Sequence, residues 1–225
     1  MTVFRETVTK VDRFDRAQAF TTTPAGEFGW TIADTSSSGT PTYLCISGLG
    51  AKLTIAATSE AENVCLYQNN VLPYLLNKIQ KVRFIASVSG IDAVTTLVMG
   101  VGSTRDDDPD NVATAALFRM EGSVSTSLVV CETDDAVTNN DDKAGVISLS
   151  STDKLFEIGF TNGLSDVRFF IDGARVASGT TFDMSAAAST DKVQLLVQIQ
   201  KASGTGTPAV TIKRAEIVYN SALGA

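Results

Sequence analysis

An all-β sandwich is the fold class this sequence predicts, and three observations predict it. Short apolar runs follow one another from Phe28 to Tyr219, with Ser/Thr/Gly or acidic punctuation between them. Those runs are rich in β-branched and aromatic residues, which suit a pleated, half-buried surface. Strand-like runs do not alternate with helical ones, so crossover helices are lacking and the strands must pair as antiparallel sheets packed face to face.

Taken in order, residues 1–26 stand apart from the rest. Phe4, Phe14 and Phe20 are spaced too widely for a strand, Arg5, Lys10, Arg13 and Arg16 lie between them, and TTTPAG at 21–26 reads as a loop. Two readings stay open, a frayed tail or an arm that docks on a neighbouring subunit; three phenylalanines favour the arm. Residues 27–225 form the sandwich domain. Its early runs are FGWTIAD, PTYLCIS, AKLTIAA and NVCLYQ, followed by IQKVRFIASV, VTTLVMGVG, TAALFRME, TSLVVCET and AGVISLS. Between them, NNVLPYLLNKIQ at 69–80 has helical spacing, but Pro73 limits it to about a turn.

The C-terminal third alternates most clearly. Val193, Leu195, Val197 and Ile199 share one face, with Lys192, Gln194, Gln198 and Lys201 largely off it. Val210, Ile212, Ala215 and Ile217 make a similar set only if a residue is skipped near Lys213, which predicts a β-bulge there. Asp172-Gly173 is a preferred hairpin dipeptide.

Composition narrows the chemistry. The chain has 225 residues, 44% hydrophobic and 19% charged, in the globular range, and at this length a core needs no staples. Cys45, Cys65 and Cys131 are odd in number and each lies in an apolar run, which predicts three reduced core thiols. No apolar run is long enough to span a bilayer, and the first sixteen residues lack the apolar stretch of a signal peptide. The expectation is a chain made in the cytoplasm, with no membrane partner. Asp106 to Asp142 contains ten carboxylates and one base, Arg119, so this stretch carries −9 and the remainder +2. Without a clustered basic face, no nucleic-acid partner is expected.

Histidine is absent, which removes His-based triads, bases and metal ligands. No phosphate-binding glycine loop is present. Asp106, Asp108 and Asp110 alternate as in a calcium loop, but Asn111 stands where an EF-hand needs Gly and Leu117 where it needs Glu. This loop, and the second acidic cluster at Glu132, Asp134, Asn139, Asn140, Asp141 and Asp142, are expected to be solvated, with no cofactor. Trp30 is the only tryptophan, and a sugar-stacking role for it competes with a place in the core.

The closing order carries a resemblance. KLFEIGF, DVRFFIDGARVASG, KVQLLVQIQ and a last strand ending Glu216, Ile217, Val218, Tyr219 resemble the final strands of concanavalin-A-like (lectin/glucanase) jelly rolls. The likeness covers residues 28–220 in outline and is specific over 153–220. It implies two curved antiparallel sheets, one face concave. Retaining glucanases of that family carry Glu-x-Asp-x-x-Glu on one concave-face strand, since two carboxylates must flank the glycosidic bond. Here Glu132 and Asp134 begin the pattern, but Val137 takes the place of the last acid. The expectation is therefore a chain that is not an enzyme.

An N-terminus without a leader, no histidine and a Thr/Ser/Ala/Gly-rich, mildly acidic sandwich look like virion proteins of tailed phages, capsid decoration (cement) proteins above all. That resemblance implies a place on the capsid surface, with the major capsid protein or other virion subunits as partners, and a homo-oligomer, a trimer for preference. Phe4, Arg5, Phe14, Arg16 and Phe20 would anchor the arm. The alternative is a lectin-like module that binds carbohydrate.

Overall fold

The computed structural model describes residues 5–15, 18–20, 28–148 and 151–222. Its strands are β1 (Arg5–Asp12), β2 (Gln18–Ala19), β3 (Thr31–Asp34), β4 (Thr42–Ile46), β5 (Gly50–Thr54), β6 (Glu62–Tyr67), β7 (Tyr74–Leu75), β8 (Ile79–Ser89) and β9 (Thr95–Gly102). There follow β10 (Thr114–Glu121), β11 (Leu128–Asp135), β12 (Asn139–Ser148), β13 (Lys154–Gly159), β14 (Arg168–Ile171), β15 (Ala174–Val176), β16 (Lys192–Lys201) and β17 (Ala209–Ala222). Among the described residues these make two antiparallel sheets. The larger runs β15-β14-β13-β8-β17-β5-β4-β2 with β1 also on β17, and the smaller runs β12-β11-β10-β9-β16-β6-β3 with β7 on β16. No helix of the described residues is long and apolar enough to cross a membrane.

Period-two alternation builds the core between the sheets. Val193, Leu195, Val197 and Ile199 of β16 all point into it, as their spacing predicts. On β17 the register shifts between Ile212 and Arg214, and that shift keeps Val210, Ile212, Ala215 and Ile217 inside together. Without the bulge, Ala215 and Ile217 would turn to the outer face. At the core's centre Phe118 packs edge-on against Phe156 and Phe169, and Phe169 against Phe182, all at about 5 Å between ring centroids. The β14–β15 hairpin turns on Asp172 (φ 51°) and Gly173 (φ 80°), the left-handed pair that matches strand twist. The helical spacing after Asn69 yields a single 3-10 turn, Leu76–Lys78. All three cysteines are free and buried.

The N-terminal segment departs from expectation. Residues Arg5 to Asp12 form a strand, paired residue for residue with Ala222 to Ala215 of β17. The reason lies in β17: β5 covers only Ala209 to Ile212 on that side, and the rest of that edge needs a partner for its backbone groups. Phe14 (φ 47°) then turns the chain inward. Phe14 and Phe20, expected on a neighbouring subunit, are each 2% exposed within this chain's own core. Phe14 packs against both Phe20 and Trp30, and Phe28 closes on the far side of Trp30. An extended arm anchored by those two rings is therefore corrected to a strand paired along β17 and a core plug. Of the other proposed anchors, Phe4 and Arg16 lie outside the described residues, and Arg5 is placed only as the first residue of β1.

One burial was not expected. Lys201 shares the parity of Ile199, so its ammonium enters the interior, where it meets Glu62 (3.3 Å, both side chains fully buried) and the carbonyls of Ala56 and Thr58. Glu62 in turn accepts from the Ala56 amide at 2.8 Å and the Thr58 hydroxyl at 2.6 Å, which satisfies the pair on both sides.

Candidate functional site

The face of the smaller sheet turned away from the core carries the residues with chemical potential. On β11, Val129 and Cys131 point inward, so Val130, Glu132 and Asp134 fall on the outer face. Register places Glu132 beside Leu117 of β10 and Val130 beside Arg119. Arg119 then becomes the centre of a carboxylate cluster. It donates to Glu132 at 3.2 Å, to Glu121 at 3.0 Å and in a fork to Asp110, with Asp142 4.0 Å away.

The electrostatics follow from burial and from that cation. Glu132 is buried, and desolvation pushes its carboxyl from 4.5 up to about 7, although Arg119 pulls the other way. Burial also works against the Arg119 charge, but the hydrogen bonds and charges of Asp110, Glu132 and Glu121 outweigh it and hold the proton more tightly. The cluster binds its cation firmly and keeps one carboxyl near neutrality.

A strap covers this face. Residues 103–113, between β9 and β10, cross it and are held by mixed contacts. Val112 is buried among Cys65, Val98, Ala115, Leu117 and Leu196. The Asp107 carbonyl accepts from Asn63 at 3.2 Å and from Gln198 at 3.1 Å, and its carboxylate accepts from Thr35 at 2.6 Å and pairs with Arg105. Beneath the strap, burial raises the Cys65 thiol to about 12.

Two of the strap's alternating aspartates are occupied with their own backbone, and the third, Asp110, with Arg119. Asp106 accepts from the Asp108 amide at 3.0 Å, Asp108 accepts from the Asp110 amide at 3.2 Å, and Pro109–Asn111 forms one 3-10 turn. The second acidic cluster is spent similarly. Asp134 accepts from Ala136 at 2.7 Å, and Asp135 takes the amides of Val137, Thr138 and Ala186. These bonds shape the β11–β12 turn, with Ala136 at φ 67°. Val137, at the last position of the glucanase-like pattern, stands 79% exposed at that turn. Trp30 is wholly buried and donates to Asp12 at 3.1 Å, so it offers no stacking surface.

Two grooves remain. The first lies at one end of the same face, where Asn63, Gln200, Thr96 and Glu121 stand side by side across β6, β16, β9 and β10. It measures about 330 Å³, and Thr35, Ser37 and Asp107 complete its polar wall. The second, about 550 Å³, opens on the outer face of the larger sheet between Ile46, Leu49, Lys52, Asp153 and Lys213. Sequence reasoning found Glu132 but missed Arg119 as its partner. The signal was there, since Arg119 is the sole base in a stretch of ten acids. The polar row had no such signal, because it is assembled from four strands far apart in the chain.

No family model matches the chain, and no curated protein matches it. Solved structures do. SCLam, a non-specific endo-β-1,3(4)-glucanase from family GH16, aligns over 97% of this chain and 93% of its own, with a TM-score of 0.62 at 7% identity. The laminarinase from Rhodothermus marinus aligns over 98% and 100%, with a TM-score of 0.57 at 12% identity. The carbohydrate recognition domain of Emp47p aligns over 94% and 97%, with a TM-score of 0.61 at 8% identity. At such identities the likeness shows the fold, a concanavalin-A-like jelly roll. It also corrects the expectation that the chain is not an enzyme. Two of these neighbours are glucanases, so the fold itself houses enzymes, and lack of histidine is no bar where carboxylates carry the chemistry.

Proposed function

We propose that this chain is a virion structural protein that decorates a phage capsid, self-associating and gripping shell subunits through the outer surface of its sandwich. One observation carries the reading. Leu44, Ile46 and Leu49 are exposed together on the β4–β5 hairpin (Leu49 at 58%), beside the groove on the larger sheet bracketed by Lys52, Lys213 and Asp153. Apolar side chains with a rim of both charge signs have the make-up of a protein contact surface. The strap supports the same view, since it lies over the smaller sheet's outer face, whereas Leu44, Ile46 and Leu49 on the larger sheet are exposed. The partners are further copies of this chain, as a trimer, and the major capsid protein.

Light scattering on the full chain tests it. A trimer that dissociates in the Ile46→Lys/Leu49→Glu double variant, with an unchanged melting profile, is the expected result. A monomer at every concentration, neither associating nor adding to shells of the virion it comes from, would sink the proposal. A second reading, carbohydrate recognition, is supported by the fold shared with the Emp47p domain and by the polar row at Asn63, Gln200 and Thr96. Its test is saturable binding to an array of glycans that is lost in the Gln200→Ala variant.

A further inference from the structure

We infer that the groove on the outer face of the larger sheet is a carboxylate-binding site, and that the carboxylate it takes is Asp141, beside the β11–β12 turn, of a second copy of this chain. The inference rests on the reading of this face as a contact surface and names what that surface grips. The first argument is a row of donors without acceptors. Register sets Lys52 of β5 beside Thr211 of β17, and Thr211 beside Ser87 of β8. Their neighbours in sequence, Leu53, Ile212 and Ala86 among them, point into the core, so all three face outward, and they line the groove. Strands lie about 4.8 Å apart, which makes the row a strip about 10 Å long. Among the described residues neither hydroxyl has a hydrogen-bond partner, and the exposed Lys52 ammonium has no carboxylate. Lys213, in the same groove, is already held by Asp153 at 2.5 Å. A carboxylate accepts through two oxygens and donates nothing, which answers one free cation and two free hydroxyls. Ile46 and Leu49 on the wall of the groove call for an apolar side chain next to that carboxylate, which a bare inorganic anion does not bring.

The second argument is where the chain keeps its spare acid. Residues 106–142 carry −9 against +2 for the remainder, so the chain is complementary to itself in charge. Arg119 holds Asp110, Glu121 and Glu132. Asp141, exposed on β12, forms no ion pair among the described residues. Just before it in the chain, Val137 stands 79% exposed at the turn. A free carboxylate close to an exposed apolar side chain is the counterpart of the groove. Turn and groove belong to different sheets, so the contact joins the groove of one copy to the turn of the next. A head-to-tail contact of this kind uses two different patches and closes into a ring where the rotation between copies allows it. That suits a trimer and not a twofold dimer.

The test is a charge swap read by light scattering over a concentration series, on the full chain and on Lys52→Glu, Asp141→Lys and the two combined. Each single change sets like charges against each other and should weaken association about tenfold or more. The combined variant restores an opposite pair and should associate like the parent. Single variants that weaken association with no recovery in the combined one would overturn the pairing. Association untouched by either single change, while Ile46→Lys/Leu49→Glu still dissociates the oligomer, would overturn this inference and leave the contact surface standing. A parent that is monomeric at every concentration would overturn both. Lys52 and Asp141 are exposed, so the melting profiles should match the parent's. If a reversed charge disturbs folding, Lys52→Gln and Asp141→Asn replace the set: combined, they should weaken association no more than either alone, and additive losses would overturn the pairing.

Discussion

Glu132 sits between two opposing influences, desolvation and the Arg119 cation, and the Glu132→Gln variant measures which one dominates. Its carboxyl is raised from 4.5 to about 7 in the folded protein. A carboxyl raised on folding means that the folded state holds the proton more tightly than the unfolded chain. Stability from this group is then fully present below the unfolded value and is lost as pH rises through the folded one. Between pH 4.5 and about 7, at about 1.4 kcal/mol for each pH unit, the loss comes to about 3 kcal/mol. Glutamine matches the protonated acid in shape and never ionises. The two proteins should therefore be equally stable near pH 4.5, and the variant should gain on the parent by about 3 kcal/mol by pH 7.5. Urea denaturation of both at four or five pH values gives the difference directly, since every other titrating group cancels. Parallel curves would refute the reasoning. A parent that gains on the variant with rising pH would show that Arg119 dominates burial and that the carboxyl is lowered instead.

Other consequences can be checked as simply. Arg119→Met leaves Glu132 buried without its cation and should destabilise the fold by about 3–5 kcal/mol at pH 8, but by much less at pH 5.5, where Glu132 is protonated; equal losses at both pH values would be inconsistent with this. Phe14→Ala removes a ring from the Phe20–Trp30 cluster and should cost about 3–5 kcal/mol, with a shift in Trp30 fluorescence. A Phe14→Ala variant that melts like the parent would show that the N-terminal segment is not part of the core. Native alkylation of all three cysteines should be slow, and Val112→Asp, by loosening the strap, should accelerate Cys65 selectively over Cys45 and Cys131. Mass-mapped labelling that speeds up all three together would mean global rather than local opening.

The sequence alone determined the sandwich, because a period-two pattern in runs such as KVQLLVQIQ has only one efficient way to bury its apolar side. It also located the bulge near Lys213 and the Asp172-Gly173 turn, since both are local: one is a slip in alternation, the other a dipeptide suited to left-handed backbone. The N-terminal segment was misjudged for the opposite reason. Whether Phe14 and Phe20 serve a neighbour or the chain itself depends on the uncovered edge of β17, two hundred residues away, and no local pattern records that vacancy. The same holds for the candidate site. Glu132 was visible as the start of a motif, but its pairing with Arg119 comes from register and its approach to Asp110 from a strap folded back over the sheet. Asn63, Gln200 and Thr96 become neighbours only when three strands align. Local hydrogen bonding and side-chain periodicity are written residue by residue along the chain. Burial, and with it the raised Glu132 carboxyl and the stranded Asn63 oxygen, exists only once distant segments have excluded water from the same place.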